Sequence, residues 1–420
     1  VESNGMLQLW FVANTLLWPF NVELLGYKLG LNVAVLALAG IFWFARRRKV
    51  TRFTVSALLV MLVFLLASYL AARTGICTDK LLKFEVTAPV LFFLVLFGLE
   101  VGWQASEEDW LKLQRIAPWI LLAAFAGFMV EAIYPAGFPH QVIYRAGGKL
   151  SGLFSEPSHV AFSLFPCLAI LLVAEKKQLR QAGMWALFLL LIFSRSSTLI
   201  GLAVSWILFY KFILGSAGRS ARYGLGVAIV IALAATVNYD LFLKPTVDRA
   251  AGIMAMHHET KNLSSLVYLQ GWQDAWINLE RTNGLGLGFN MMGCDPLPDS
   301  DARYMIDKLY GIELNSEDGS TMFGKLVSET GVAGILFFIL LIGWWFRLEK
   351  EIQKSRESMK LFMIKIPAAL IFSFLASAFI RSAGYFSGGL LLMVIAVPAA
   401  VKWRKTHIAG VPGAKCENKE

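Results

Sequence analysis

Charge is scarce in this chain. Asp, Glu, Lys and Arg make up 16% of its 420 residues, where an average soluble domain carries about 25%. That is too little to cover the two or three soluble domains its length would otherwise suggest. Cysteine is scarce too. Cys77, Cys167, Cys294 and Cys416 form no CxxC pair and have no metal-ligand spacing. Cys167 lies in an apolar run and reads as packing, whereas Cys77 and Cys294 can pair only where both face an oxidising compartment. There is no Walker A sequence, no kinase motif set and no soluble ATPase segment, which argues against a self-contained ATP-driven pump. The amino terminus lacks a basic n-region and a small-residue cleavage site, so its first apolar segment is expected to be retained as a helix.

What is present is apolar bulk. Hydrophobic residues make up 57%, with 31 Phe and 13 Trp, and the mean hydropathy is +0.60. The apolar segments run continuously instead of alternating with period two, which excludes a porin-type barrel. The expected fold class is therefore an all-α polytopic integral membrane protein. The net charge of +10 does not point to nucleic acid, because Lys and Arg fall in short clusters between apolar runs, as the positive-inside rule requires of cytoplasmic loops.

Hydropathy and these clusters predict about twelve transmembrane helices with both termini cytoplasmic. The spans are 6–18, 31–44, 53–72, 88–103, 116–134, 157–174, 183–193, 198–212, 223–242 and 323–346, then two more ending near 380 and 402. Arg46, Arg47, Arg48 and Lys49 are the strongest cytoplasmic marker. The whole chain, 1–420, reads as a single transmembrane domain. An outside loop at 135–156 carries Arg145 and Glu156, and a large outside loop spans 243–322.

Topology does not require basic residues outside, yet Arg145, Arg195, Arg281 and Arg381 fall there. An Arg within a span costs about 2.5–3.5 kcal/mol on insertion scales. Each taken singly reads equally as interfacial snorkelling, the stem in the membrane and the guanidinium among headgroups. Converging on one face, they would suit a diphosphate at the membrane–water interface, because a planar, permanently charged fork matches phosphate oxygens.

Arg145 opens the most distinctive stretch, running through Gly147, Gly148, Lys149 and Gly152 to Ser155, Glu156, Pro157, Ser158 and His159. Its glycines permit close backbone approach to a ligand. Pro157 suits the first turn of a helix, with Ser155 or Glu156 at the N-cap. Glu156 thus reads either as a capping carboxylate or as a general base that activates an acceptor hydroxyl. His159 reads either as a satisfied interfacial histidine or as part of the site.

The large loop holds Gly284, Gly286 and Gly288, whose spacing and surroundings are wrong for a dinucleotide fingerprint; a flexible turn is the plain reading. Residues 270–280 place Trp272 and Trp276 at helical spacing, as in a helix lying flat on the membrane. His257, His258, Asp295, Asp299, Asp301 and Asp307 match no metal-ligand pattern, and no metal or other cofactor is expected. The two halves show no clear repeat, which gives no support to an inverted-repeat transporter.

Together these motifs resemble Wzy-type O-antigen and exopolysaccharide polymerases, in the superfamily that includes O-antigen ligases. Gly152–Leu–Phe–Ser–Glu156–Pro–Ser–His159 is the most specific match. Ser194–Arg195–Ser–Ser–Thr198 resembles the Ser-rich turn between paired helices. Asn283–Gly–Leu–Gly–Leu–Gly288 resembles the Gly-rich motif of the large loop, and Glu329–Thr–Gly331–Val–Ala–Gly334 the opening of the next helix. Arg381 with Tyr385 fits a late outside Arg.

The resemblance implies a GT-C-like, metal-independent glycosyltransferase of the bacterial inner membrane, with its active site facing the periplasm. Its partners would be undecaprenyl-diphosphate-linked glycan donor and acceptor, membrane lipid and a chain-length regulator. Glu156 would be catalytic, with Arg145 and His159. Arg145, Lys149, Arg195, Arg281, Arg381 and Tyr385 would bind the diphosphate. Ligases of the superfamily carry a His shortly before the Glu-x-Gly helix, whereas this chain reads Asn–Ser–Glu–Asp–Gly–Ser–Thr over 315–321. That favours a polymerase, unless His257 or His258 folds back. The competing readings are an O-antigen ligase, a flippase or transporter of lipid-linked sugars, and a non-catalytic assembly subunit.

Overall fold

A computed structural model describes residues 5–24, 27–47, 50–74, 80–137, 149–209, 244–254, 262–354, 362–381 and 384–408. The chain opens with helix α1 (Met6–Val12), which runs into a π-helical turn, Ala13–Leu17. An antiparallel hairpin follows, β1 (Asn21–Leu24) with β2 (Tyr27–Gly30), in register Asn21 to Gly30. The all-α expectation is amended there: the polar turn expected over 19–30 forms two short strands. Next come α2 (Leu31–Arg46), α3 (Arg52–Thr74), α4 (Leu81–Gln104), α5 (Glu107–Ile133), α6 (Pro157–Leu172), α7 (Lys177–Ser194) and α8 (Ser197–Leu208). After α9 (Lys244–Met254) the large loop contributes α10 (Leu263–Arg281) and α11 (Asp301–Tyr310). The chain closes with α12 (Met322–Thr330), α13 (Val332–Lys354), α14 (Phe362–Ile380) and α15 (Gly388–Ile408).

Four of these helices are long and apolar enough to cross a membrane, over Arg52–Leu70, Leu81–Gln104, Glu107–Ile133 and Val332–Ile352. Shorter apolar helices fill Met6–Leu17, Leu31–Arg46, Pro157–Leu172, Ser197–Leu208 and Ile364–Ile380. The expected ninth span, 223–242, lies outside the described residues. Several helices overrun the expected bounds, α4 from 81 and not 88, α7 from 177 and not 183, α13 to 354 and not 346, and two further differences have a local physical reason. Helix α5 starts nine residues before the expected 116, because Ser106 and Asp109 form a capping box that extends it into polar sequence. The span expected over 323–346 is broken at Gly331, whose φ of +60° ends α12.

Helix α6 is the axis of the assembly. Every residue from Val160 to Leu171 is buried, and α5, α7, α8, α14 and α15 all pack against it. A helix apolar all round belongs at the centre of such a bundle. By contrast, α3 exposes Leu59, Val60, Leu62, Val63 and Leu66, the surface expected of a helix against lipid. One continuous apolar core runs through the bundle, and a small satellite of Leu266, Val267 and Ile306 joins α10 to α11.

Candidate functional site

The site is built at the amino-terminal end of α6. Pro157 occupies the first turn, where its missing N–H costs nothing, and Glu156 is the extended N-cap residue. Its carboxylate makes no capping bond to the helix backbone, so the capping reading fails. Instead Glu156 Oε1 lies 3.0 Å from His159 Nε2 and 3.2 Å from Arg381 Nη2, and it accepts the Ser158 hydroxyl. Burial by itself would raise the Glu156 pKa. His159 and Arg381 outweigh it and hold the carboxyl well below its ordinary range. Ser155 Oγ lies 2.6 Å from His159 Nδ1. Glu156, His159 and Arg381, singled out separately in the sequence, thus form one contact set spanning 225 residues.

Two features the sequence reading passed over position this set. Glu131, on α5 and wholly buried, accepts the Ser151 and Gly152 backbone N–H groups at 2.9 and 2.7 Å. Gly152 has φ +58°, and a Cβ there would stand 2.9 Å from the Phe128 ring. The turn leading into Ser155 is therefore clamped to α5. The signal was an acid inside an apolar run. The second feature is the π-helical turn, a frequent mark of functional sites, followed directly by Trp18. Its ring stands 5.0 Å from His159 in an edge arrangement, and its indole N–H donates to Ser163 Oγ. Phe162 closes on the imidazole at 5.2 Å.

Arg195 caps α7 in the left-handed conformation, φ +46°, an arrangement a non-glycine residue adopts at a cost. Leu150 N–H donates to Phe193 carbonyl at 2.9 Å, which brings Lys149 to the same corner. A Cβ on Gly201 would lie 3.4–4.0 Å from Ile380. Helices α8 and α14 therefore pack side by side, with Arg195 and Arg381 at the same end. Arg195 has no side-chain ion-pair partner among the described residues. Arg145 lies outside the described residues, as do His257 and His258.

Arg281 and Tyr385 go elsewhere. Arg281 donates to the Pro296 carbonyl at 2.6 Å and approaches Cys294 Sγ, bracing the large loop. Tyr385 is 4% exposed, and its hydroxyl donates to Glu329 Oε2 at 2.5 Å. Glu329 is a buried hub: it also accepts the Asn290 and Met292 backbone N–H groups at 2.8 and 3.0 Å and pairs with Lys325 at 3.0 Å. The Gly-rich turn belongs to the same joint. Leu287 N–H bonds Ser328 carbonyl, Gly288 N–H bonds Glu329 carbonyl and Val332 N–H bonds Gly284 carbonyl. The two glycine motifs of the large loop and of the following helix are thus the two halves of one backbone clasp, and the flexible-turn reading is replaced.

Helix α10 buries Gln270, Asp274 and Asn278, a polar stripe at i, i+4 and i+8, with Arg303 on Asp274 at 2.7 Å. Trp276 faces outward at 61% exposure. The same helix also buries Leu266, Val267 and Ala275, and Trp272 packs on Phe323 at 4.8 Å, so of the two Trp expected on a membrane-lying face Trp276 alone is exposed. No cluster of three or more metal-ligating side chains is found among the described residues. Compared with protein-family models, curated proteins and solved structures, the chain matches none.

Proposed function

We propose that the chain is a membrane glycosyltransferase that polymerises undecaprenyl-diphosphate-linked repeat units into a surface polysaccharide at the outer face of the inner membrane. The observation that carries this reading is the cationic corner around Arg381 at the top of α6. Arg381 pairs with Glu156, Arg195 lies at the same end of the neighbouring α7–α8 turn, the Leu150–Phe193 backbone bond brings Lys149 to that turn, and Arg145 belongs to the same stretch of sequence. Such a corner favours a dianionic leaving group, and fixed guanidiniums stabilise the charge that develops on a departing diphosphate. Glu156 and His159 offer the acceptor hydroxyl a place to lose its proton. The charged groups gather at one end of the helices and not at mid-depth, which fits bond formation at an interface better than transport through it.

Orientation has its own support. Cys294 is disulfide-bonded, while Cys167 is free and buried. A disulfide in the large loop fits an oxidising outer compartment. Cys77 lies outside the described residues.

The test is reaction of the purified protein with a defined undecaprenyl-diphosphate-linked repeat unit, resolved by mass spectrometry. A ladder of multiples is the expected product, and added EDTA leaves its rate unchanged. Loss of rate restored by a divalent ion would overturn the metal-independent reading. Transfer only when a lipid A core is supplied would make the chain a ligase.

A further inference from the structure

The proton chemistry of the site follows from which nitrogen of His159 carries hydrogen. Nε2 faces Glu156 Oε1 at 3.0 Å. An ionised carboxylate accepts only, so Nε2 is the protonated nitrogen. In that tautomer Nδ1 carries a lone pair, toward which the Ser155 hydroxyl, 2.6 Å away, can donate. Glu156 Oε1 is already shared by three donors, Ser158, His159 and Arg381. The His159 hydrogen bond and the Arg381 charge on that oxygen hold the whole carboxyl ionised, which makes it a weak proton acceptor. Ser155 is exposed, whereas His159 is held on its other sides by Trp18 and Phe162. The route from outside to a basic atom therefore runs by way of the exposed Ser155 hydroxyl to Nδ1.

We infer that His159 Nδ1 accepts the proton of the attacking sugar hydroxyl, that Ser155 Oγ marks the position this hydroxyl takes, and that Glu156 is a positioning residue. This rests on the glycosyltransfer reading and reverses the expected order of Glu156 and His159. In the step, the acceptor oxygen bonds to the anomeric carbon while the bond from that carbon to the diphosphate oxygen breaks. The diphosphate leaves with the electron pair toward Arg381 and Arg195, and the acceptor proton passes to Nδ1. Glu156 fixes the tautomer and stabilises the imidazolium that forms, the arrangement by which a carboxylate supports a histidine base elsewhere. Among the described residues the charged group on the ring is Glu156 from its own helix end, with Arg381 from the end of α14 on the far side of that carboxylate. Trp18, from the amino-terminal segment, brings no charge. Arg195 and Lys149 stand at the same corner.

Two measurements on the full chain in detergent decide it. The first is nitrogen NMR of histidine-labelled protein, with the His159 signal assigned by its loss in His159→Gln. Above neutral pH the ring is expected as the Nε2–H tautomer, and Glu156→Gln is expected to weaken that preference. A wild-type ring protonated on Nδ1 would overturn the assignment whatever the protein catalyses. The second is the pH dependence of single-turnover transfer. His159→Gln should slow transfer about 100-fold or more and remove the acid limb of the profile. Glu156→Gln should slow it less, leave KM little changed and move the limb to lower pH, because the imidazolium loses its counter-charge. A limb that survives in His159→Gln, or that vanishes only in Glu156→Gln, makes Glu156 the base. Absence of any product from the wild-type protein strikes the glycosyltransfer reading, and the tautomer still tests the assignment separately.

Discussion

A guanidinium 3.2 Å from a carboxylate can hold a second anion beside the first, because its donors lie in one rigid plane. Arg381 is placed to do this. Its Nη2 is engaged by Glu156, and no other side-chain partner of the fork is found among the described residues, which leaves it donors for phosphate oxygens. Arg381→Lys keeps the charge and can keep the contact to Glu156, but a single ammonium cannot present two parallel donors to a diphosphate. The expected outcome is a transfer rate at least about tenfold lower, with thermal unfolding nearly unchanged, since a part-exposed ion pair contributes only about 0–1 kcal/mol. Wild-type rate in Arg381→Lys would remove the diphosphate role. Arg281 shows why residue type alone misleads. It too sits in an expected outside loop, yet its Nη1 is given to the Pro296 carbonyl and its Nη2 lies against Cys294 Sγ. Glu131 shows the converse. Its partners are the backbone N–H groups of Ser151 and Gly152, which carry no residue signature, and only its cost inside an apolar run could have announced it.

At the scale of elements, apolar runs made the helices legible, while their ends were set by contacts that hydropathy does not report. The Ser106–Asp109 box draws α5 backward, and Gly331 divides α12 from α13. The clasp between 284–288 and 328–332 was visible as two glycine motifs but not as one object. Its halves lie about 45 residues apart, and nothing local says that they meet. The clasp makes a graded prediction. Gly284 and Gly286 have nearly equal φ, +82° and +81°, so an alanine is equally strained at either. Their surroundings differ. A Cβ on Gly286 would stand 2.5 Å from the Glu329 and Gly331 backbone, whereas on Gly284 it meets only the Val332 Cγ2 at 3.2 Å, a side chain that can turn. Gly286→Ala should therefore lose about 3 kcal/mol or more and Gly284→Ala about 1–2 kcal/mol, read as thermal midpoints in one detergent. Equal losses would mean that the close backbone approach is not what the clasp requires.

At the scale of the whole molecule, one core is organised around α6, and the groups assigned to chemistry sit at one of its ends. Which compartment that end faces decides what it can meet. On the proposed topology 135–156 and 243–322 lie outside and the turn between α4 and α5 inside, and a disulfide at Cys294 is what an oxidising outer compartment would permit. Two exposed side chains let the sides be read directly. Asp307 on α11 lies in the large loop, and Glu108 at the start of α5 is 75% exposed beside Lys112. In intact spheroplasts, a membrane-impermeant maleimide should label Asp307→Cys at once and Glu108→Cys only after permeabilisation. The pattern should hold in the same protein that elongates lipid-linked glycan. The opposite pattern would turn the end of α6 toward the cytoplasm. It would leave the Cys294 disulfide in a reducing compartment and deprive the cationic corner of an outward-facing diphosphate. The polymerase reading and the topology would then fall together, because both depend on the side of the membrane to which α6 presents Glu156, His159 and Arg381.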